Sequence, residues 1–282
     1  MPTHDDATRQ AQLNFFHTFG YLRLPGLLCD DIDEIIAAFE AIWQERGGGH
    51  AGRAHTGDAR SCIVPFIDQH PRLCQLLDDP RIEGLLCDIL GEGFNYVGSD
   101  GNFYSGDTAW HSDGMWSDGP MFLKVALYLD PVGWDSGALR VIPGSHHRGD
   151  AYADGLQQFL HQSQDQWGTA GSNIPAIAMT SAPGDVVIFN HKLKHSAWGG
   201  SKRRRMFTIN CSQRFPDDKL DDLRGYINSH ARFWIDRLYG PIMRDTADTK
   251  RMTHLEQVMA NDGDLVSLAA KAREEMAEPA RG

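Results

Sequence analysis

The sequence predicts a fold that is mainly β with flanking helices, a sandwich or barrel of short antiparallel strands enclosed by helical segments. Two observations carry this. Between Phe94 and Ser212 short β-rich runs alternate with Gly, Pro, Asp and Ser, the texture of closed antiparallel sheets. Before and after that region, apolar residues recur at helical spacing. The size agrees: 282 residues, 41% hydrophobic and 23% charged, suffice for a sizeable core in one large domain. The expected organisation is a single domain over 1–282, with a helical part at 1–92, a β core at about 93–215 and C-terminal helices at 216–282.

Each element follows in order. Residues Ala7 to Phe19 read as a helix ended by Gly20, a residue that adopts the left-handed conformation of a helix stop without strain. A short apolar stretch, Tyr21 to Leu28, follows. Asp30 and Asp31 offer an N-cap for a helix whose Ile32, Ile35, Ile36, Phe39, Ile42 and Trp43 share one face, and Gly47-Gly48-Gly49 stops it. The polar, Gly-rich stretch to Arg60 is expected to be a mobile loop able to close over a site. Pro71 to Gly91 reads as two short helices broken at Pro80. The β-rich runs are Phe94–Val97, Asn102–Ser105, Phe122–Leu129, Leu139–Ile142, Val186–Phe189 and Met206–Cys211. After Pro216 helix returns, with Leu220, Leu223, Ile227, Phe233 and Trp234 as its apolar side. The tail beyond Asp264 suits an exposed terminal helix.

Composition narrows the function. No stretch approaches 18 consecutive apolar residues, so a membrane span is not expected. The polar, acidic N-terminus is unlike a secretory signal. A net charge of −11 opposes binding to a nucleic-acid phosphate surface. The five cysteines are widely spaced without a CxxC pair, which predicts buried thiols in a reducing cytoplasm and no thiolate zinc site. The expected partner is a small-molecule substrate.

The chemistry centres on Trp110-His111-Ser112-Asp113-Gly114. With 13 His and 38 acidic residues, chance alone supplies about two His-x-acid pairs, and the chain has three: His4/Asp6, His111/Asp113 and His254/Glu256. On a helix i and i+2 diverge by about 200°, whereas on extended backbone they point the same way. Only His111/Asp113 adjoins a β-run, so this pair can share a metal. The segment from Ala182 to His195 offers two candidates for a third ligand, His191 and His195. Two histidines and a carboxylate on one face of an octahedron form the triad of non-haem iron(II) oxygenases. Zinc could use the same donors, but its bound water would need a general base, and no HExxH-like partner accompanies them.

Lys202-Arg203-Arg204-Arg205 leads into the run Met206 to Cys211. A hairpin from His195 would return one guanidinium near the metal, where it can clamp a dicarboxylate bidentately. Alternation places Arg204 with Met206, Thr208 and Asn210, and Arg205 with Phe207, Ile209 and Cys211. The polar side suits an anion pocket, so Arg204 is favoured and Arg205 is the alternative; Arg203 is expected in the solvated turn. Asn102 and Tyr104 share one side of the strand before His111 and can face a cosubstrate. Trp116 can line the substrate side. His17, His70 and His161 read as surface or structural residues, and His146 and His147 as caps of the turn after Pro143.

Together these motifs resemble the phytanoyl-CoA dioxygenase family of iron(II)/2-oxoglutarate oxygenases. The carriers are WHSDG, SGALRVIPGSHHRGD (Ser136 to Asp150), APGDVVIFNHKLKHS, RRMFTIN and the N-terminal FFHTFGYLRLPGLL, and the likeness runs from about Leu13 to Ser212. It implies a double-stranded β-helix (jelly-roll, cupin-like) core and iron ligation by His111, Asp113 and His195. It also implies an arginine at the start of the last core strand for the distal carboxylate of 2-oxoglutarate. The implied reaction consumes 2-oxoglutarate and dioxygen (O2), releases succinate and carbon dioxide, and by default hydroxylates the substrate. One departure is the run Ser196-Ala197-Trp198-Gly199-Gly200, which lacks the Gly-Ser and following Asn of many members. The retained carboxylate counts against a halogenase. The alternative from another class is a non-oxidative metal-binding jelly-roll, a binding module or zinc-dependent hydrolase. Specificity is expected from the N-terminal helical region, the loop near Gly47 and the surroundings of Trp116.

Overall fold

A computed structural model describes residues 6–114 and 119–282. The strands are β1 (Tyr21–Leu24), β2 (Ser61–Ile63), β3 (Asn95–Tyr104), β4 (Thr108–His111), β5 (Phe122–Tyr128), β6 (Leu139–Val141), β7 (Ile177–Met179), β8 (Val186–Asn190), β9 (His195–Ala197) and β10 (Arg204–Ser212). They form an antiparallel six-stranded sheet in the order β1-β8-β5-β10-β3-β2 and a four-stranded sheet in the order β4-β9-β6-β7. From β3 to β10 the chain keeps crossing between the two sheets, which is the jelly-roll pattern. Apolar side chains from both sheets meet inside: Tyr128, Val187, Phe189 and Met206 from the large sheet against Leu139, Val141 and Met179 from the small one.

Period-two alternation decides what each strand shows to either side. On β10, Phe207, Ile209 and Cys211 join the helical layer outside the large sheet. There the helix Ile32–Glu45 buries Ile35, Phe39, Ile42 and Trp43, with the Trp43 ring stacked 4.1 Å from Phe103. The helices Pro80–Leu90 and Leu220–Asn228 extend this layer through Leu86, Leu223 and Ile227. The outside of the small sheet is closed by Trp110, Ile142, Leu160 and Ile174.

Gly101 shows how tightly the outer layer fits. A Cβ at this position would overlap the Phe66 ring, which lies over the strand between Phe39 and Phe207. Gly101→Ala is therefore expected to destabilise the fold by about 1–3 kcal/mol, the usual cost of overpacking a filled core. Thermal melting checks this; an unchanged Tm would mean that the Phe66 ring can yield.

Several sequence expectations need correcting. Phe94–Val97 and Asn102–Ser105 are not separate strands: β3 runs through Gly98, Ser99, Asp100 and Gly101, with a register shift opposite Asn210/Cys211 and φ 121° at Gly98. The path from His195 to Arg204 is not a hairpin, because β9 and β10 belong to different sheets. Asp31 is the residue before the second helix, but its carboxylate caps nothing; Arg72 and Arg81 each hold one of its oxygens at 2.6 Å. His146 and His147 do not cap their own turn. Their Nε2 atoms reach the carbonyls of His17 and Thr18 at the end of the first helix. The Gly47–Arg60 stretch is tied down, with His55 bridging Ser61 Oγ and the Lys202 carbonyl, both at 2.8 Å. Among the described residues, no helix is long and apolar enough to cross a membrane.

Candidate active site

Strand pairing brings the candidate metal ligands together. β4 and β9 run antiparallel with His111 directly opposite His195, and their ring centroids lie 4.2 Å apart. Asp113, two residues beyond, brings Oδ1 to 3.5 Å from His111 Nε2 and Oδ2 to 3.6 Å from His195 Nε2. Each imidazole is oriented from behind. His111 Nδ1 lies 2.8 Å from the Ala109 carbonyl, and His195 Nδ1 lies 2.8 Å from the Leu193 carbonyl. A carbonyl only accepts, so each Nδ1 carries the hydrogen and each Nε2 turns a lone pair toward Asp113. One ligand atom from each of the three residues falls within 4.8 Å of the others. This donor set fits a divalent iron ion with an open face.

The local charges reinforce the arrangement. Burial pushes the His195 imidazole down to about 3, which keeps it neutral and able to ligate. Burial would raise the Asp113 carboxyl, but Lys124 and the neighbouring imidazoles hold it well below the usual carboxylate range. Lys124 Nζ lies 2.6 Å from Asp113 Oδ2. Burial opposes its charge, yet Asp113 and Asp100 keep the proton on and raise its pKa. His191 stands outside the group of three. Its buried ring lies 5.6 Å from Phe122, and burial lowers its pKa to about 4.

The arginines part company. Arg204 is 3% exposed, and among the described residues its Nε and Nη1 have no hydrogen-bond partner. Its guanidinium lies 5.2 Å from the Tyr104 ring. Gly137 and Gly200 flank it, and a Cβ at either would overlap the guanidinium. Arg205 points the other way and is already engaged: Nε and Nη2 donate to Asp130 at 2.9 and 2.6 Å, and Nη1 to Glu40 at 2.8 Å. Arg203 is not simply solvated in a turn, since its guanidinium stacks 4.1 Å from the Phe103 ring centroid.

Between Arg204 and the triad lies a polar network. Asn102 donates to Asp100 at 2.6 Å and accepts from Arg60 Nε at 2.8 Å. Thr208 donates to Asp100. Arg60 Nη2 reaches Asp100 at 3.0 Å, and its guanidinium lies 4.3 Å from the Tyr104 ring. Sequence reasoning missed Arg60, Asp100 and Lys124. Two of them had a signal: Asp100 alternates with Asn102, and Lys124 is the one charge inside the run Phe122–Tyr128. Arg60 sits in an irregular loop, where no periodicity speaks for its direction.

Trp116 lies outside the described residues. The N-terminal helices cover the outer face of the large sheet and so do not wall the triad. Among the described residues the C-terminal region reaches the Phe122 end of β5, where Tyr226 lies 4.8 Å from Phe122 and 5.0 Å from His230.

Two histidines and one carboxylate converging at the mouth of a jelly-roll are the donor pattern of non-haem iron(II) oxygenases. The chain belongs to the phytanoyl-CoA dioxygenase (PhyH) family, whose model matches residues 16–206. No curated protein sequence matches the chain. Among solved structures it is similar to SnoK, an α-ketoglutarate-dependent carbocyclase of nogalamycin biosynthesis, at 21% identity and TM-score 0.56, covering 72% of this chain and 83% of that one. The epimerase SnoN, in complex with Fe3+, α-ketoglutarate and nogalamycin RO, matches at 18% identity and TM-score 0.55, covering 74% and 85%. AviO1 from Streptomyces viridochromogenes matches at 20% and 0.55, covering 77% and 99%. These structural likenesses show the fold. Membership of the family does not fit the non-oxidative alternative.

Proposed function

We propose that His111, Asp113 and His195 hold iron(II), that Arg204 takes the distal carboxylate of 2-oxoglutarate, and that the protein hydroxylates a small molecule. The observation that supports this best is Arg204: a guanidinium buried inside the barrel with two N–H-bearing nitrogens that meet no acceptor among the described residues. Burying such a group is costly unless an anion completes it. Bound iron supplies the chemistry that couples decarboxylation of 2-oxoglutarate to oxidation of a substrate by dioxygen. The chain's own part is placement. The Ala109 and Leu193 carbonyls fix the imidazole tautomers, Asn102, Thr208 and Tyr104 form the floor beside the cosubstrate, and the apolar inter-sheet core excludes water. A small-molecule substrate agrees with SnoN, which is seen with nogalamycin RO.

The test is succinate release from 2-oxoglutarate in the presence of Fe(II), ascorbate and air. Steady release, stimulated by one member of a substrate library, is the expected result. Protein that binds zinc tightly and never consumes 2-oxoglutarate with any library member would overturn the proposal.

A further inference from the structure

The inner face of the large sheet carries more charge than a metal triad and one cosubstrate clamp use. Part of it is self-contained, since Asp100 is matched by Arg60, Asn102 and Thr208. Lys124 is not. It stands in mid-β5 between Asn210 of β10 and Phe189 of β8, and among the described residues its ion-pair partner is Asp113. On the reading proposed above, the charge of Asp113 is committed to iron. The two positive charges of iron(II) are then met by Asp113 and the chelating carboxylate of 2-oxoglutarate, and the distal carboxylate is met by Arg204. Asp100, the other carboxylate acting on Lys124, is already paired with Arg60, so the loaded barrel keeps one positive charge in excess beside Lys124, an expensive state unless a further anion arrives.

We infer that Lys124 receives the carboxylate of the substrate, which is therefore a monoanionic organic acid. A single ammonium balances a monoanion, whereas a phosphate dianion would leave the recess negative. The neighbours suit the rest of such a molecule. Phe122 lies two residues before Lys124 on the same side of β5, and the rings of His191, Tyr226 and His230 continue from it. Phe122, Tyr226 and His230 are only partly buried, so this aromatic wall borders open space. A carboxylate on Lys124 with a flat or apolar body along the wall lies beside Asp113. The inference rests on the iron and 2-oxoglutarate reading.

The experiment is an anaerobic titration of the Fe(II) and 2-oxoglutarate-loaded protein, followed by the visible charge-transfer absorption of the iron chelate. The probes are 3-phenylpropanoate and decanoate, each against its neutral amide. The acids are expected to perturb the spectrum at concentrations about ten- to a hundredfold lower than the amides, as loss of a charge-assisted hydrogen bond predicts. In Lys124→Met that ratio should collapse to about one, whatever the absolute affinities. The wild-type comparison requires no variant to fold. Equal response or equal silence of acids and amides in the wild type would overturn the inference, as would an acid preference surviving in Lys124→Met. Loss of 2-oxoglutarate binding itself in that variant would assign the ammonium to the cosubstrate and also overturn it. Wild-type protein without any charge-transfer absorption would instead strike the iron reading underneath.

Discussion

Asp113→Ala is expected to abolish iron(II) binding and to lower turnover by more than about a thousandfold, since even the outer partners of metal ligands are worth ten- to a hundredfold. The carboxylate is the only anion that the three-residue face offers. Without it, two neutral imidazoles and the Lys124 ammonium would confront a dication, because Lys124 lies 2.6 Å from the carboxylate it now neutralises. His111→Ala and His195→Ala should be as severe for turnover, each removing one of the two Nε2 lone pairs that face Asp113. His191→Ala should be much milder, because His191 lies outside the converging group. Anaerobic metal titration with circular dichroism separates ligand loss from unfolding. Metal binding that survives His195→Ala but not His191→Ala would show the triad to be wrongly composed.

How much of this was legible depends on length and period. β5, β8 and β10 hold enough consecutive residues for alternation to be read, and that alternation separates Arg204 from Arg205 onto opposite faces of one strand. β2, β6, β7 and β9 are three residues each, too short for any period, so their partners come only from the fold. After His195 the chain crosses between sheets where the sequence suggests a hairpin, because both arrangements need the same Gly-rich turn. The helices Ala151–Phe159 and Ser163–Trp167 leave no clear period in the sequence, because Gly155 and the polar glutamines blur their apolar stripe.

The site divides in the same way. His111 and Asp113 are two apart on a β-run, so sequence spacing equals spatial proximity. Tyr226 and Phe122 are over a hundred residues apart in the chain and meet only because the C-terminal helix folds back on the sheet. Arg60 and Asp100 are likewise joined by tertiary structure. The acidic cap expected from Asp31 failed for a related reason: two distant arginines claim its carboxylate more strongly than a helix N–H does.

Arg204→Ala is expected to raise the dissociation constant of 2-oxoglutarate by a factor equivalent to roughly 2–5 kcal/mol, much of it from leaving the partner carboxylate unpaired in the barrel. The guanidinium is held between Gly137 and Gly200, with no room for a Cβ at either, and its Nε and Nη1 meet no acceptor among the described residues. Those are the two conditions a bidentate clamp needs: fixed direction and unspent donors. Arg204→Lys retains the charge but not the fork, so it should weaken 2-oxoglutarate less than alanine does while still raising its apparent KM. Arg205→Ala should behave differently. Its donors are spent on Asp130 and Glu40, so the expected loss is in Tm, with 2-oxoglutarate affinity unchanged. Arg203→Ala should cost no more than about 0.5–1 kcal/mol of stability, the worth of an exposed cation–π contact. The measurement is 2-oxoglutarate affinity and melting temperature for the three alanine variants under anaerobic Fe(II). A large affinity loss at Arg205 with none at Arg204 would move the cosubstrate to the other face of β10, and unchanged affinity in all three would remove the arginine from the site.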